Sequence, residues 1–183
     1  MTSIDPREAA SALSDIDEIV RRVRQSTIYY LASLMLIMWG VLTFAGYLVT
    51  WLSPRSALYA WVTVYVAGIA GTIAISASNR RRSGVRTFDF RMLAAFLLFV
   101  AFGIFCNWLG HFGPRQLGTF WTMNFMLVYT IAGLWVGRAF VAIGLGIIAL
   151  TLIGYFRIGE FDLWMAFVNG GGLILGGLWM RRS

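Results

Sequence analysis

A thiol, an amide and an imidazole fall close together at Cys106, Asn107 and His111. These are the parts of a cysteine nucleophile system, in which a base activates the sulfur and an amide orients the base. Asn107 and His111 stand i, i+4 and share a face if the segment is helical. The members of such systems ordinarily converge from distant segments, so this spacing is not specific. An interfacial histidine is the simpler interpretation.

Two asparagines, Asn124 and Asn169, sit inside long apolar runs. An amide in hydrocarbon costs free energy unless it is hydrogen-bonded, so each must face protein, water or a ligand. A third set pairs cation with aromatic: Arg55 with Trp61, Arg115 with Trp121, Arg157 with Trp164. Such residues can line a cavity for a small uncharged or anionic solute. They equally suit an aromatic belt with snorkelling arginines at a membrane surface.

Other chemistry is missing from the chain. No carboxylate falls within the central part of any apolar run, so a proton relay of the acidic kind has no place. There is no HExxH, P-loop or GxSxG. A single cysteine excludes an intrachain disulfide and any CxxC metal site. A single histidine excludes haem held by two histidines of one chain. No metal or cofactor is implied and no enzyme activity is expected.

The elements that would position these residues are transmembrane helices. Of 183 residues, 59% are hydrophobic and 13% charged, about half the charge of a soluble domain. A spanning helix needs about 20 mostly apolar residues, and six such segments are expected at 27–52, 57–77, 92–109, 117–136, 139–156 and 161–180. Pro54 and Pro114 end helices because proline lacks an N–H and disfavours a helical residue before it. The stretch Leu117–Phe156 would span about 60 Å as one helix, twice the hydrocarbon thickness. The chain must therefore reverse within it, and Gly137-Arg138 is the expected place.

Every basic residue is an arginine, and the net charge is +7. The arginines lie in short clusters between apolar runs, which argues against a nucleic-acid partner and for orientation of the chain in a bilayer. Only Arg55, Arg115 and Arg157 fall on one side of the six segments; all others fall opposite. The positive-inside rule then puts both termini in the cytoplasm of an inner-membrane protein. Residues 1–26 are expected to form a cytoplasmic segment with no apolar signal core. Within it, Leu13, Ile16, Val20 and Val23 mark one face of a short amphipathic helix around Ser14–Arg24.

The sequence also repeats. Trp51 to Trp61 aligns with His111 to Trp121 without a gap, superposing Pro, Arg and Trp. Gly154 to Trp164 is a fainter third copy with a shorter loop. Three helical hairpins related by a pseudo-threefold axis along the membrane normal are one arrangement this suggests. The alternative is that outer loops collect Pro, Arg and Trp independently.

Helices in lipid associate by close packing of small residues. Gly68, Thr72 and Ser76, then Ala142 and Gly146, then Gly172 and Gly176 recur at spacing four. Packing within one bundle is the first expectation for them, and a seam with a second copy or a partner subunit is the other. Two functions follow: a non-enzymatic membrane protein acting by helix packing with itself or a partner, or a substrate-binding or permeation protein using the outer Arg/Trp ends and the two asparagines.

Overall fold

The computed structural model describes residues 6–83 and 90–181. Among them there is no strand, and six helices carry the chain. These are α1 Pro6–Leu52, α2 Ala57–Ser83, α3 Phe90–Gly110, α4 Pro114–Val136, α5 Arg138–Arg157 and α6 Phe161–Met180. All but α3 contain a stretch long and apolar enough to cross a membrane, and α3 has a shorter apolar stretch, Ala94–Gly110. The fold belongs to the all-α membrane class.

The helix ends follow local chemistry. Pro54–Ser56 forms one tight 3₁₀ turn that leads into α2, and the hydroxyls of Ser53 and Ser56 bond across it at 3.1 Å. Pro114 occupies the first turn of α4, where its missing N–H costs nothing. One residue before it, the Gly113 N–H donates to Gln116 Oε1 at 3.0 Å. The chain reverses at Gly137 with φ +156°, ψ 159°, a conformation essentially closed to residues with a Cβ. His111, beyond the end of α3, has φ 45°, a left-handed position in which histidine is among the enriched types.

One boundary differs from expectation. The N-terminal amphipathic segment is not a separate short helix: α1 runs unbroken from Pro6 to Leu52, about 70 Å at the rise of an α-helix. The reason is the absence of any Pro or Gly between Ser14 and Trp39, so nothing interrupts the backbone hydrogen bonds where hydropathy changes. The side chains of Leu13, Ile16, Val20 and Val23 lie outside the described residues, as do Arg86 and Arg182.

Four helices make the centre. Helix α1 lies along the whole of α6 in the most extensive contact of the bundle, and the α4–α5 hairpin comes next. Between them sit Leu36, Met126, Phe140, Ile143, Ile147, Val168 and Leu173. Glycines let these backbones meet. A Cβ on Gly170 would lie 2.6 Å from Phe44 Cα, and one on Gly40 would lie 2.8 Å from the Gly170 carbonyl oxygen. Helix α2 packs on α1, while α3 leans thinly on α4. The three hairpins are thus unequal in packing, with the most extensive contact between the first and third, through α1 and α6, rather than inside any one.

Candidate functional site

The residues singled out by type and spacing fall at three separate places. At the end of the α4–α5 hairpin opposite the Gly137 turn, Arg115 is half-buried. Its Nη2 donates to the carbonyl oxygens of Gly154 at 2.8 Å, Tyr155 at 2.7 Å and Ile158. The Gly154 carbonyl also accepts from the Ile158 N–H at 3.1 Å, whereas those of Tyr155 and Ile158, in the last turn of α5 and at the residue that ends it, are among the carbonyls a helix terminus leaves without an intrahelical partner. The cation therefore caps α5 where the helix dipole is negative. Its guanidinium also stands 5.0 Å from the Phe161 ring centroid and 5.7 Å from that of Tyr155. By contrast, Arg55 and Arg157 are exposed. Nearby, Trp51 Nε1 donates to Glu160 Oε2 at 2.8 Å and ties the end of α1 to the turn before α6.

The three aligned tryptophans do share an environment. Each is half-buried and covers a glycine on the preceding helix of its hairpin. A Cβ on Gly46 would lie 3.6 Å from Trp61 Cζ3, one on Gly103 2.7 Å from Trp121 Cη2, and one on Gly154 would overlap the Trp164 indole. Each ring has its own further contact. Trp61 stands edge-on to Tyr47 at 4.8 Å, Trp121 stacks on Phe125 at 5.8 Å, and Trp164 Nε1 donates to the Leu150 carbonyl at 3.0 Å.

The second place is the middle of the bundle. Helix α6 departs from α-geometry over Ala166–Gly171, which form a π-helical turn, a local widening common at functional sites. Asn169 lies in that turn and is 7% exposed. Its Nδ2 donates to Thr122 Oγ1 at 3.2 Å, and Thr122 Oγ1 also bonds Tyr47 OH at 3.2 Å. Tyr47 OH lies 3.4 Å from the Gly118 carbonyl as well. Helices α1, α4 and α6 are thus joined through one buried polar cluster, and Asn169 Oδ1 has no partner there.

The third place is the contact between α3 and α4. Asn124 is half-buried, and its Nδ2 is sealed from solvent with no hydrogen-bond partner. The amide faces α3 at Gly103, where an added Cβ would come within 3.4 Å of Nδ2. Asn124 and Asn169 therefore do not form one site. Residues 122 and 124 project from opposite sides of α4, since two steps turn a helix by about 200°, and only Thr122 meets Asn169.

The small residues divide likewise. Gly68 lies under the Trp39 ring, and Thr72 Oγ1 accepts from Trp39 Nε1 at 3.1 Å, joining α1 to α2. Ser76 is half-buried. Gly172 and Gly176 face Ile147 and Ile143 of α5, where an added Cβ would lie 3.1 and 2.8 Å away. Ala142 and Gly146 instead lie on the exposed side of α5, with nothing near where a Gly146 Cβ would be. The closest backbone contacts run through Gly40, Gly133, Gly144, Gly170 and Gly177, all of which lie outside the three stripes of spacing four. Cys106 is a half-buried free thiol, and among the described residues no three His, Cys, Asp or Glu side chains converge as a metal site would require.

The chain matches no protein-family model, and comparison with curated proteins and with solved structures finds no significant similarity.

Proposed function

We propose that this chain is a non-enzymatic, multi-pass inner-membrane protein that works by packing its helices against another membrane helix, supplied by a second copy or a partner subunit. Its arginine distribution supports cytoplasmic placement of both termini. The three tryptophan–glycine contacts support descent of its hairpins from one repeated unit.

One observation carries the assembly proposal: α3 is incompletely seated. It leans thinly on α4 and covers an Asn124 amide that has no acceptor. Exposure of Leu98, Phe102 and Trp108 on α3 argues nothing by itself, because lipid covers apolar helix surfaces as well as protein does. An unpaired amide in that setting is different, since hydrocarbon offers it no acceptor. Contact with a further helix would fix α3 against α4 and give this interface the packing the central helices already have. The α5 face bearing Ala142 and Gly146 offers close backbone approach for the same purpose. A solute site at the outer ends has less support, because Arg115 is committed to the carbonyls of α5.

Photo-crosslinking in native membranes tests the assembly proposal. A photoreactive residue at Phe102 or Trp108 should give a protein adduct of discrete mass, and the same residue at Val62 or Ile69 of α2 should not. Adducts with lipid alone from both helices would refute it.

A further inference from the structure

Two buried oxygens in the bundle centre are left over. Asn169 gives its Nδ2 to Thr122, but its Oδ1 accepts nothing. Thr151 on α5 is 0% exposed, and its Oγ1 has no partner. This is unusual within the molecule itself. A helical threonine can return its hydroxyl to the carbonyl four residues back. Thr43, Thr50, Thr63, Thr72, Thr119 and Thr130 all do so. Thr122 bonds Tyr47 and Asn169 instead. Thr151 does neither.

The helix registers bring these groups to one depth. Gly144 of α5 packs at Met126 and Thr130 of α4, and Gly133 of α4 packs at Phe140 and Val141 of α5. In this antiparallel register Thr151 is level with Thr122. On the other side, Gly172 packs at Ile147 and Gly154 at Trp164, which sets Thr151 level with Phe167 and Val168, within one turn of Asn169. The level coincides with the π-helical turn of α6, where the extra residue widens the helix. A carbonyl acceptor and a hydroxyl thus lie within one helical turn of the same depth in the bundle, each fully desolvated and unpaired.

The chemistry of the occupant follows. Asn169 Oδ1 can only accept, so the occupant must donate. The Thr151 hydroxyl can donate or accept. The surrounding groups Tyr47, Thr122, Asn169 and Thr151 are all uncharged side chains, so an ion would be buried without compensation. Two to four polar partners in a closed interior are what a buried water requires. We propose that Asn169 Oδ1 and Thr151 Oγ1 bind one ordered water molecule that links α5 to the α1–α4–α6 polar cluster.

A near-isosteric substitution tests this by its sign. If the Thr151 hydroxyl is simply stranded, Thr151→Val removes an unpaired polar group and raises the melting temperature of the detergent-solubilised full chain. If it holds a water, the same change strands that water and Asn169 Oδ1, and lowers the melting temperature by roughly 2–4 °C. A measurement on the unmodified protein stands beside it. In threonine-methyl-labelled protein, the Thr151 methyl should show magnetisation transfer from a long-lived bound water, and the Thr63 methyl, whose hydroxyl bonds its own helix, should not. A raised or unchanged melting temperature, or no transfer to the Thr151 methyl, overturns the proposal.

Discussion

The Nη2 of Arg115 donates to the carbonyl oxygen of Tyr155 at 2.7 Å, across the α4–α5 hairpin. The side chain that opens one helix thereby closes the next. Charge-assisted hydrogen bonds contribute about 1.5–3 kcal/mol each before coupling, and here the two N–H of one nitrogen are shared among three carbonyls. Arg115→Ala should lower the melting temperature by roughly 4–8 °C, as expected for a loss of about 2 kcal/mol. Arg55→Ala and Arg157→Ala, which remove exposed side chains, should shift it by no more than about 2 °C. Thermal unfolding of the three variants in one detergent checks the ranking, and equal losses would contradict the capping role.

Glycine-to-alanine changes should differ in sign with the surroundings. At Gly170 a methyl would press on the backbone of Phe44, so Gly170→Ala should destabilise by about 1–3 kcal/mol. At Gly146 nothing lies nearby, and Gly146→Ala should stabilise the isolated chain by about 0.5–1 kcal/mol through lower backbone entropy in the unfolded state. Denaturant titration in mixed micelles separates the two. If α5 packs on a partner at this face, Gly146→Ala weakens that association while the isolated chain gains stability.

Gly137 combines a restricted backbone with a close neighbour. Its φ is +156°, and a Cβ there would overlap the Tyr29 hydroxyl. Gly137→Ala should destabilise the chain, and Tyr29→Phe in the same molecule should restore part of the loss. The part not restored measures backbone strain alone, about 1–3 kcal/mol. Full recovery in the double variant would show that the steric contact, and not φ, requires glycine.

Much of the fold was legible because its boundaries rest on local chemistry. Pro54, Pro114 and Gly137 break helices wherever they stand in space. The extent of α1 was not legible from hydropathy, because leaving the apolar region does not unwind a helix that lacks a breaker. Partner choice was beyond sequence altogether. Pro54-Arg55 and Pro114-Arg115 are the same dipeptide, yet only the second lies against the open end of another helix. Spacing of four marked Ala142–Gly146 and Gly172–Gly176 alike, and only packing shows that the first pair lies on the exposed side of α5 while the second, on α6, faces α5. More simply, periodicity defines a stripe on a helix and cannot say which way the stripe points. Asn169 was identifiable as a polar residue in an apolar span, but Thr151 was not, since most threonines in helices satisfy themselves.

Native mass spectrometry of the full chain, extracted in mild detergent and released from the micelle, tests the central claim most directly. Assembly through α3 predicts a complex containing either two copies of the 20.5 kDa chain or one copy with a second polypeptide of fixed stoichiometry. A lone chain carrying only lipid, under conditions that preserve known membrane oligomers, would contradict it.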